Sequence, residues 1–153
     1  MSTITLADVW TKQAELHQMI IALQTQQAAP TTEYKVPGAT ITLAAGERYA
    51  GLVLAADGTP SHHLVLLPDE AGEVCWEDAK TWANQRGELP TRQEQALLYA
   101  NLKGEFQPTW YWSGEAHETD GSIAWCQHFD YGYQGTIHEH GELRARAVRR
   151  FTD

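Results

Sequence analysis

The chain of 153 residues is short of cysteine, of basic residues and of long hydrophobic runs. Its two cysteines, Cys75 and Cys126, are too few for a disulfide scaffold, and two buried thiols are the simpler interpretation. No apolar run approaches the roughly 20 residues of a membrane-spanning helix, so no membrane insertion is expected. The first residues lack the basic and apolar regions of a secretory signal peptide, so synthesis in the cytoplasm is expected.

Basic residues are scarce, with 11 lysines and arginines against 20 aspartates and glutamates and a formal net charge of −9. Binding to nucleic acid requires clustered basic residues, and an acidic chain is also repelled by anionic lipids. Neither nucleic acid nor a membrane surface is therefore an expected partner. Aromatic residues are plentiful instead: six tryptophans and six tyrosines, in a sequence that is 42% hydrophobic, indicate a folded domain.

Residues 5–27 have the pattern of one long helix. Thr5 and Asp8 show the T-x-x-D spacing of a helix start. Apolar residues then recur with the three- and four-residue spacing of a coiled-coil heptad. The predicted seam consists of Leu6, Val9, Gln13, Leu16, Ile20 and Leu23. We expect this helix to form a homotrimer; the alternative is an amphipathic helix packed on its own domain.

The polar stretch that ends at Pro30 predicts a boundary between an oligomerisation helix with its linker, residues 1–30, and a domain over residues 31–153. Thr91 and Glu94 form the capping box of a helix that starts there, and a second helix is predicted over 76–86. Strands are predicted over 40–43, 49–55, 62–67, 110–113, 122–129 and 143–151, with a loop or irregular hairpin over 130–142. The Asp57-Gly58 turn between the second and third of these strands predicts an antiparallel hairpin. The expected fold class is α+β.

Several short segments, taken in order, resemble one protein family. They are Gly51-Leu52-Val53-Leu54, Trp76-Glu77-Asp78-Ala79, the GELPTRQE stretch from Gly87 to Glu94, Tyr111-Trp112-Ser113, Ala124-Trp125 and the RAVRR stretch from Arg146 to Arg150. Over residues 46–151 they resemble the bacterial and phage C-type-lectin-like domains, which are similar in fold to the formylglycine-generating (sulfatase-modifying) enzymes. The resemblance implies two helices, small irregular antiparallel sheets and a loop-rich binding face.

The resemblance does not extend to the catalytic or calcium-binding residues of related proteins. Formylglycine-generating enzymes use a metal and a cysteine pair in their C-terminal part, where this chain has only Cys126. The calcium loop of the lectins corresponds to Gln107-Pro108-Thr109, which lacks the required oxygen ligand. We expect no enzymatic activity, no cofactor and no bound metal; an enzyme of the formylglycine-generating type is the remote alternative.

Residues 113–142 are the predicted binding face. Tyrosine alternates with glycine there, and tyrosine provides a large contact area at low entropic cost. The candidate ligand-binding residues are His117, Asp120, Asp130, Tyr131, Tyr133, Gln134, His138 and His140. The alternative is that the two tyrosines pack beneath the loop.

These expectations combine into a non-enzymatic protein on the surface of a phage particle. The helix gathers three copies and docks them to other virion proteins, and the domain presents residues 113–142 to a host surface receptor or ligand. The alternative is a purely structural role, as a head-decoration or tail protein that binds no receptor.

Overall fold

The computed structural model of the chain describes residues 3–26, 31–36 and 38–152. Its helices are α1 (Leu6–Gln26), α2 (Trp76–Asn84) and α3 (Arg92–Leu102), and a single 3-10 turn, Lys103–Glu105, follows α3. Its strands are β1 (Thr32–Val36), β2 (Ala39–Leu43), β3 (Arg48–Leu54), β4 (Pro60–Leu66), β5 (Ala71–Val74), β6 (Trp110–Ala116), β7 (Ile123–His128), β8 (Gln134–His138), β9 (Leu143–Ala145) and β10 (Val148–Phe151). The α+β class is confirmed.

Helix α1 begins as its sequence predicts. The Thr5 hydroxyl accepts from the Asp8 backbone N–H at 3.2 Å, and the Asp8 carboxylate accepts from the Thr5 N–H at 2.7 Å. The predicted helix end at residue 27 and the linker up to Pro30 lie outside the described residues. Within the described part of the chain, no residue of α1 is buried, so the alternative of a helix packed on its own domain is wrong. No described helix combines the length and hydropathy needed to cross a bilayer.

The strands form three sheets. Strands β1 and β2 make a hairpin, β10–β4–β3 make the second sheet, and β5–β9–β6–β7–β8 make the third. Strands β3 and β4 pair antiparallel across the turn at Gly58, which confirms the predicted hairpin. All described pairings are antiparallel except the one between β6 and β9.

Two predicted segments differ from the structure. Residues 130–142 contain strand β8, which pairs with β7 over five residues. Strand β8 is an edge strand that is mostly exposed, so it lacks the apolar alternation by which strands are recognised. The predicted closing strand 143–151 is two strands, β9 and β10, in different sheets. The break falls at Arg146, whose buried guanidinium donates to the carbonyl oxygens of Leu67 (2.8 Å) and Glu105 (2.5 Å).

The two domain helices pack on separate cores. Helix α2 contributes Trp76, Ala79 and Ala83 to a core that also holds Leu89, Trp112, Ala124, Cys126 and Ala145. Helix α3 contributes Leu98 to a second core with Leu64, Leu66, Tyr111, Phe129 and Val148. The indole N–H of Trp112 donates to the Val74 carbonyl at 2.8 Å, so the polar group of this buried ring has a hydrogen-bond partner. Tyr111 and Trp112 are therefore core residues, with 1% and 0% of their surface exposed.

A buried carboxylate joins α3 to the second sheet. Glu94 closes the predicted capping box, accepting from the Thr91 backbone N–H at 2.9 Å while Thr91 accepts from the Glu94 N–H at 3.1 Å. The same carboxylate lies 2.7 Å from His62 Nε2 on β4 and accepts two hydrogen bonds of 2.8 Å from Arg150 on β10. Burial opposes its ionisation, but the hydrogen bonds from Arg150, Thr91 and His62 outweigh burial and hold the pKa of Glu94 below its usual value.

The substitution Glu94→Gln tests this junction. We expect it to lower the free energy of unfolding by about 2–3 kcal/mol at neutral pH, because it removes the charge that pairs with Arg150. The control Glu88→Gln removes the other carboxylate bound to Arg150. Because the Glu88 side chain is 65% exposed, we expect this control to lower the free energy of unfolding by less than about 1 kcal/mol. Urea unfolding measures both, and equal losses would contradict the prediction.

The stability difference between wild type and Glu94→Gln should also depend on pH. Folding lowers the pKa of Glu94, so its stabilisation is complete above the unfolded value of 4.5 and is lost as the pH falls through the folded value. Acidification below pH 4.5 should therefore narrow the difference in stability between wild type and Glu94→Gln.

Candidate functional site

The eight predicted binding residues do not form one site. Strands β7 and β8 pair in a register that sets Ile123 opposite His138 and Gln127 opposite Gln134. Gln134 and His138 therefore lie at opposite ends of β8, roughly 13 Å apart at the rise of an extended strand. Asp130, Tyr131, Tyr133 and Gln134 lie at one end, and His117, Asp120, His138 and His140 lie at the other.

The histidine end consists of local turn structure. Asp120 accepts from the Ser122 hydroxyl at 2.6 Å and from its backbone N–H at 3.0 Å, and these hydrogen bonds lower the pKa of Asp120. The rings of His138 and His140 lie 4.9 Å apart, and the His117 ring stacks on Trp125. No three metal-binding side chains converge anywhere in the described residues. This end therefore offers no assembled site.

The tyrosine end presents a row of aromatic rings. Tyr131 and Tyr133 are 69% and 67% exposed with their ring centroids 6.1 Å apart, so the alternative that they pack beneath the loop is wrong. Tyr131 stacks on His128 at 5.1 Å, and His128 meets the edge of Trp110 at the same distance. We call these four residues the tyrosine platform. Trp110 and His128 were not predicted, because they join the row only through the pairing of β6 with β7.

The turn that carries the two tyrosines is fixed against α3. The carbonyl oxygen of Asp130 accepts from the Tyr99 hydroxyl at 3.2 Å and from Lys103 Nζ at 2.8 Å. Gly132 has a φ of +82°, and a Cβ atom there would lie 2.8 Å from the Tyr99 ring. Asp130 therefore holds the turn through its backbone, and Gly132 allows the turn to lie against the helix.

A cleft of about 270 Å³ separates α3 from this turn. We call it the α3 cleft; its walls include Arg92, Ala96, Tyr99, Gln127, Gly132 and Gln134. Gln134 crosses from β8 to the helix, accepting from Arg92 Nε at 3.1 Å and donating to the Arg92 carbonyl at 2.7 Å. Of these residues only Gln134 was predicted, since Arg92, Ala96 and Tyr99 come from the distant helix α3, and Gln127 and Gly132 carry no local motif.

The two cysteines are free. Burial raises the pKa of Cys126 to about 11, although a hydrogen bond between its sulfur and the Gly135 carbonyl acts in the opposite direction. At neutral pH Cys126 is therefore a thiol, and a thiol is the inert form of cysteine. This environment does not favour the cysteine chemistry of the formylglycine-generating enzymes.

A scan against models of protein families found no match, and a search of curated proteins found no significantly similar sequence. The function is therefore inferred from the geometry of the chain itself.

The substitution Gly132→Ala tests the fit of the turn against α3. We expect it to lower the free energy of unfolding by about 1–3 kcal/mol, because an alanine at this φ is strained and its Cβ meets Tyr99. The control Gly121→Ala places its Cβ in open space and should change stability by less than about 0.5 kcal/mol. Urea unfolding compares them, and a Gly132→Ala variant as stable as wild type would show that the contact with Tyr99 is loose.

Proposed function

We propose that the protein is a non-enzymatic, trimeric display module of a phage particle. Helix α1 gathers three copies through its heptad seam and docks them to other virion proteins. A C-type-lectin-like domain then presents its tyrosine platform and α3 cleft to a receptor on the host surface. The two helices with small, mostly antiparallel sheets support this assignment of the domain.

The observation that carries the proposal is the exposure of the apolar side of α1. The five apolar residues of the predicted seam are between 46% and 72% exposed in the single chain. A helix of 21 residues with one such side is marginal alone in water. Burial of each large apolar side chain contributes roughly 1.5–3 kcal/mol, so association of several copies through α1 removes this apolar side of the helix from water.

The seam residues carry signals for both three and two strands, since Ile20 at position a with Leu23 at position d is the order typical of dimers. In the first heptad Leu6 occupies position a and the β-branched Val9 occupies position d, an order that disfavours dimers. Gln13 is a polar residue at the next a position, where such residues fix the register and the number of strands.

The exposed tyrosines support binding rather than a purely structural role. Tyr131 and Tyr133 keep about two thirds of their surface in solvent although the turn that carries them is fixed. An ordered aromatic surface loses little entropy when it binds, and three copies in one assembly multiply weak contacts.

The substitution Leu16→Asp tests the assembly. Light scattering of the full chain should give three times the monomer mass of 17.1 kDa, and Leu16→Asp should give the monomer mass, because it places a charge in the seam. The control Gln18→Asp lies away from the seam and should remain trimeric. A wild-type chain that is monomeric at micromolar concentration would overturn the proposal.

A second experiment separates receptor binding from a structural role. A Tyr133→Cys substitution on a Cys75→Ser background provides an accessible thiol, while Cys126 is buried. If the platform faces outward, a bulky maleimide labels this thiol on assembled particles as fast as on the free protein. Protection from labelling on particles would show that other virion proteins cover the platform, and the structural role would then stand.

A further inference from the structure

The α3 cleft is lined by Gln127, whose amide nitrogen has no hydrogen-bond partner within the described residues. We propose that the cleft, together with the adjacent Tyr131 and Tyr133, binds an uncharged saccharide without calcium. This inference rests on the proposed display function for its biological setting and names the class of ligand that the displayed face takes.

The hydrogen bonds around Gln134 fix the direction of each amide. The Nε of Arg92 can only donate, so the atom of Gln134 that faces it at 3.1 Å is the carboxamide oxygen. The nitrogen of Gln134 then donates to the Arg92 carbonyl at 2.7 Å and to Gln127 Oε1 at 2.8 Å. Gln127 therefore directs its oxygen to Gln134 and has its nitrogen available for another partner.

That nitrogen is the unusual group. Gln127 is 1% exposed and lines the cleft, yet within the described residues its Nε2 forms no hydrogen bond. Although the side chain as a whole is buried, this nitrogen is open to the cleft, where an oxygen atom of a ligand would accept from it. The cleft is thus prepared for a ligand that carries acceptor oxygens.

The charges around the cleft favour an uncharged ligand. Arg92 lies 3.6 Å from the Glu118 carboxylate and stacks on the Trp125 ring at 3.4 Å, so its positive charge already has partners. The chain as a whole carries a formal charge of −9, which repels anions. A carboxylate or phosphate ligand would meet little net positive charge here.

The aromatic surface beside the cleft completes the match to a saccharide. A sugar ring has an apolar face of C–H groups and a rim of hydroxyls that donate and accept hydrogen bonds. Tyr131 and Tyr133 offer exposed ring surface for the apolar face. Gln127 offers its amide nitrogen to the hydroxyls, and the exposed Gln93 offers its amide oxygen, since its nitrogen donates to the Leu54 carbonyl at 2.9 Å. A peptide would be expected at a different place, along the edge of β8, where backbone groups are available for strand addition.

The test is a titration of the isotope-labelled full chain with single sugars, followed by NMR. The panel comprises glucose, galactose, mannose, rhamnose and N-acetylglucosamine, each with and without EDTA and at concentrations into the millimolar range. We expect at least one sugar to shift the side-chain amide signals of Gln127 saturably. If no sugar in the panel shifts them, or if binding disappears with EDTA, the proposal is overturned.

Three variants locate the site. Gln127→Met keeps the length of the side chain but removes the free donor, together with the oxygen that accepts from Gln134, and it should weaken binding at least about tenfold. Tyr133→Ala alters a side chain that is 67% exposed, so it should weaken binding without a loss of stability, even if Gln127→Met fails to fold. The control Gln85→Met, at the exposed end of α2, should bind like wild type. Wild-type affinity in Tyr133→Ala, or shifts that map to the edge of β8 instead, would overturn the assignment of this site.

The saccharide titration and the tests of the proposed display function can fail independently of each other. If the chain is trimeric and Tyr133 is accessible on particles but no sugar binds, the display function stands and the ligand class is wrong. If a sugar binds at Gln127 but the chain is monomeric, the saccharide site stands and the trimeric display function is wrong.

Discussion

The buried carboxylate of Glu94 is the contact on which the arrangement of the domain depends. One side chain caps α3 and binds His62 on β4 and Arg150 on β10, which lie 32 and 56 residues away in sequence. Its charge could not be buried without these partners, so the start of the helix and both strands must come together or not at all. Such an all-or-none junction fixes the position of α3 against the second sheet more tightly than apolar packing alone, which tolerates small shifts.

The contacts of Glu94 also determine the geometry of the candidate site. Arg92 directly follows the N-cap of α3, and Tyr99 lies two turns later, so the placement of the helix start also places both residues. Leu98 buries one side of the helix in the core, while Tyr99 meets the turn at Gly132. The α3 cleft is the space left between a helix held by Glu94 and a turn held by the Asp130 carbonyl. A site between two fixed elements is largely preformed, which reduces the entropy lost on binding.

The features that could be predicted from sequence are those with a local physical signal. The Thr91–Glu94 capping box, the cap at Thr5 and the hairpin at Gly58 depend on residues within a few positions of one another, and the structure has all three. Strand β8 was missed because an exposed edge strand has no apolar alternation, and the break at Arg146 was missed because its cause is a set of carbonyl partners far away in sequence. The same limit explains the site: exposed tyrosines are visible in the sequence, whereas the amide network of Gln127 and Gln134 exists only after β7 and β8 pair.

The openness of the site gives the exposed helix a physical role. A cleft of about 270 Å³ lies just below the usual range of small-molecule pockets, so a single copy would surround only part of the proposed ligand and would bind it weakly. Linking several such sites makes each later contact intramolecular and can raise the overall affinity by roughly 10²–10⁴ without any new contact. The apolar side of α1, which finds no core within the described chain, supplies that linkage in the proposed trimer. In the proposed assembly, the open site and the exposed helix are therefore parts of one arrangement, because trimerisation through the helix would raise the affinity that a single open site lacks.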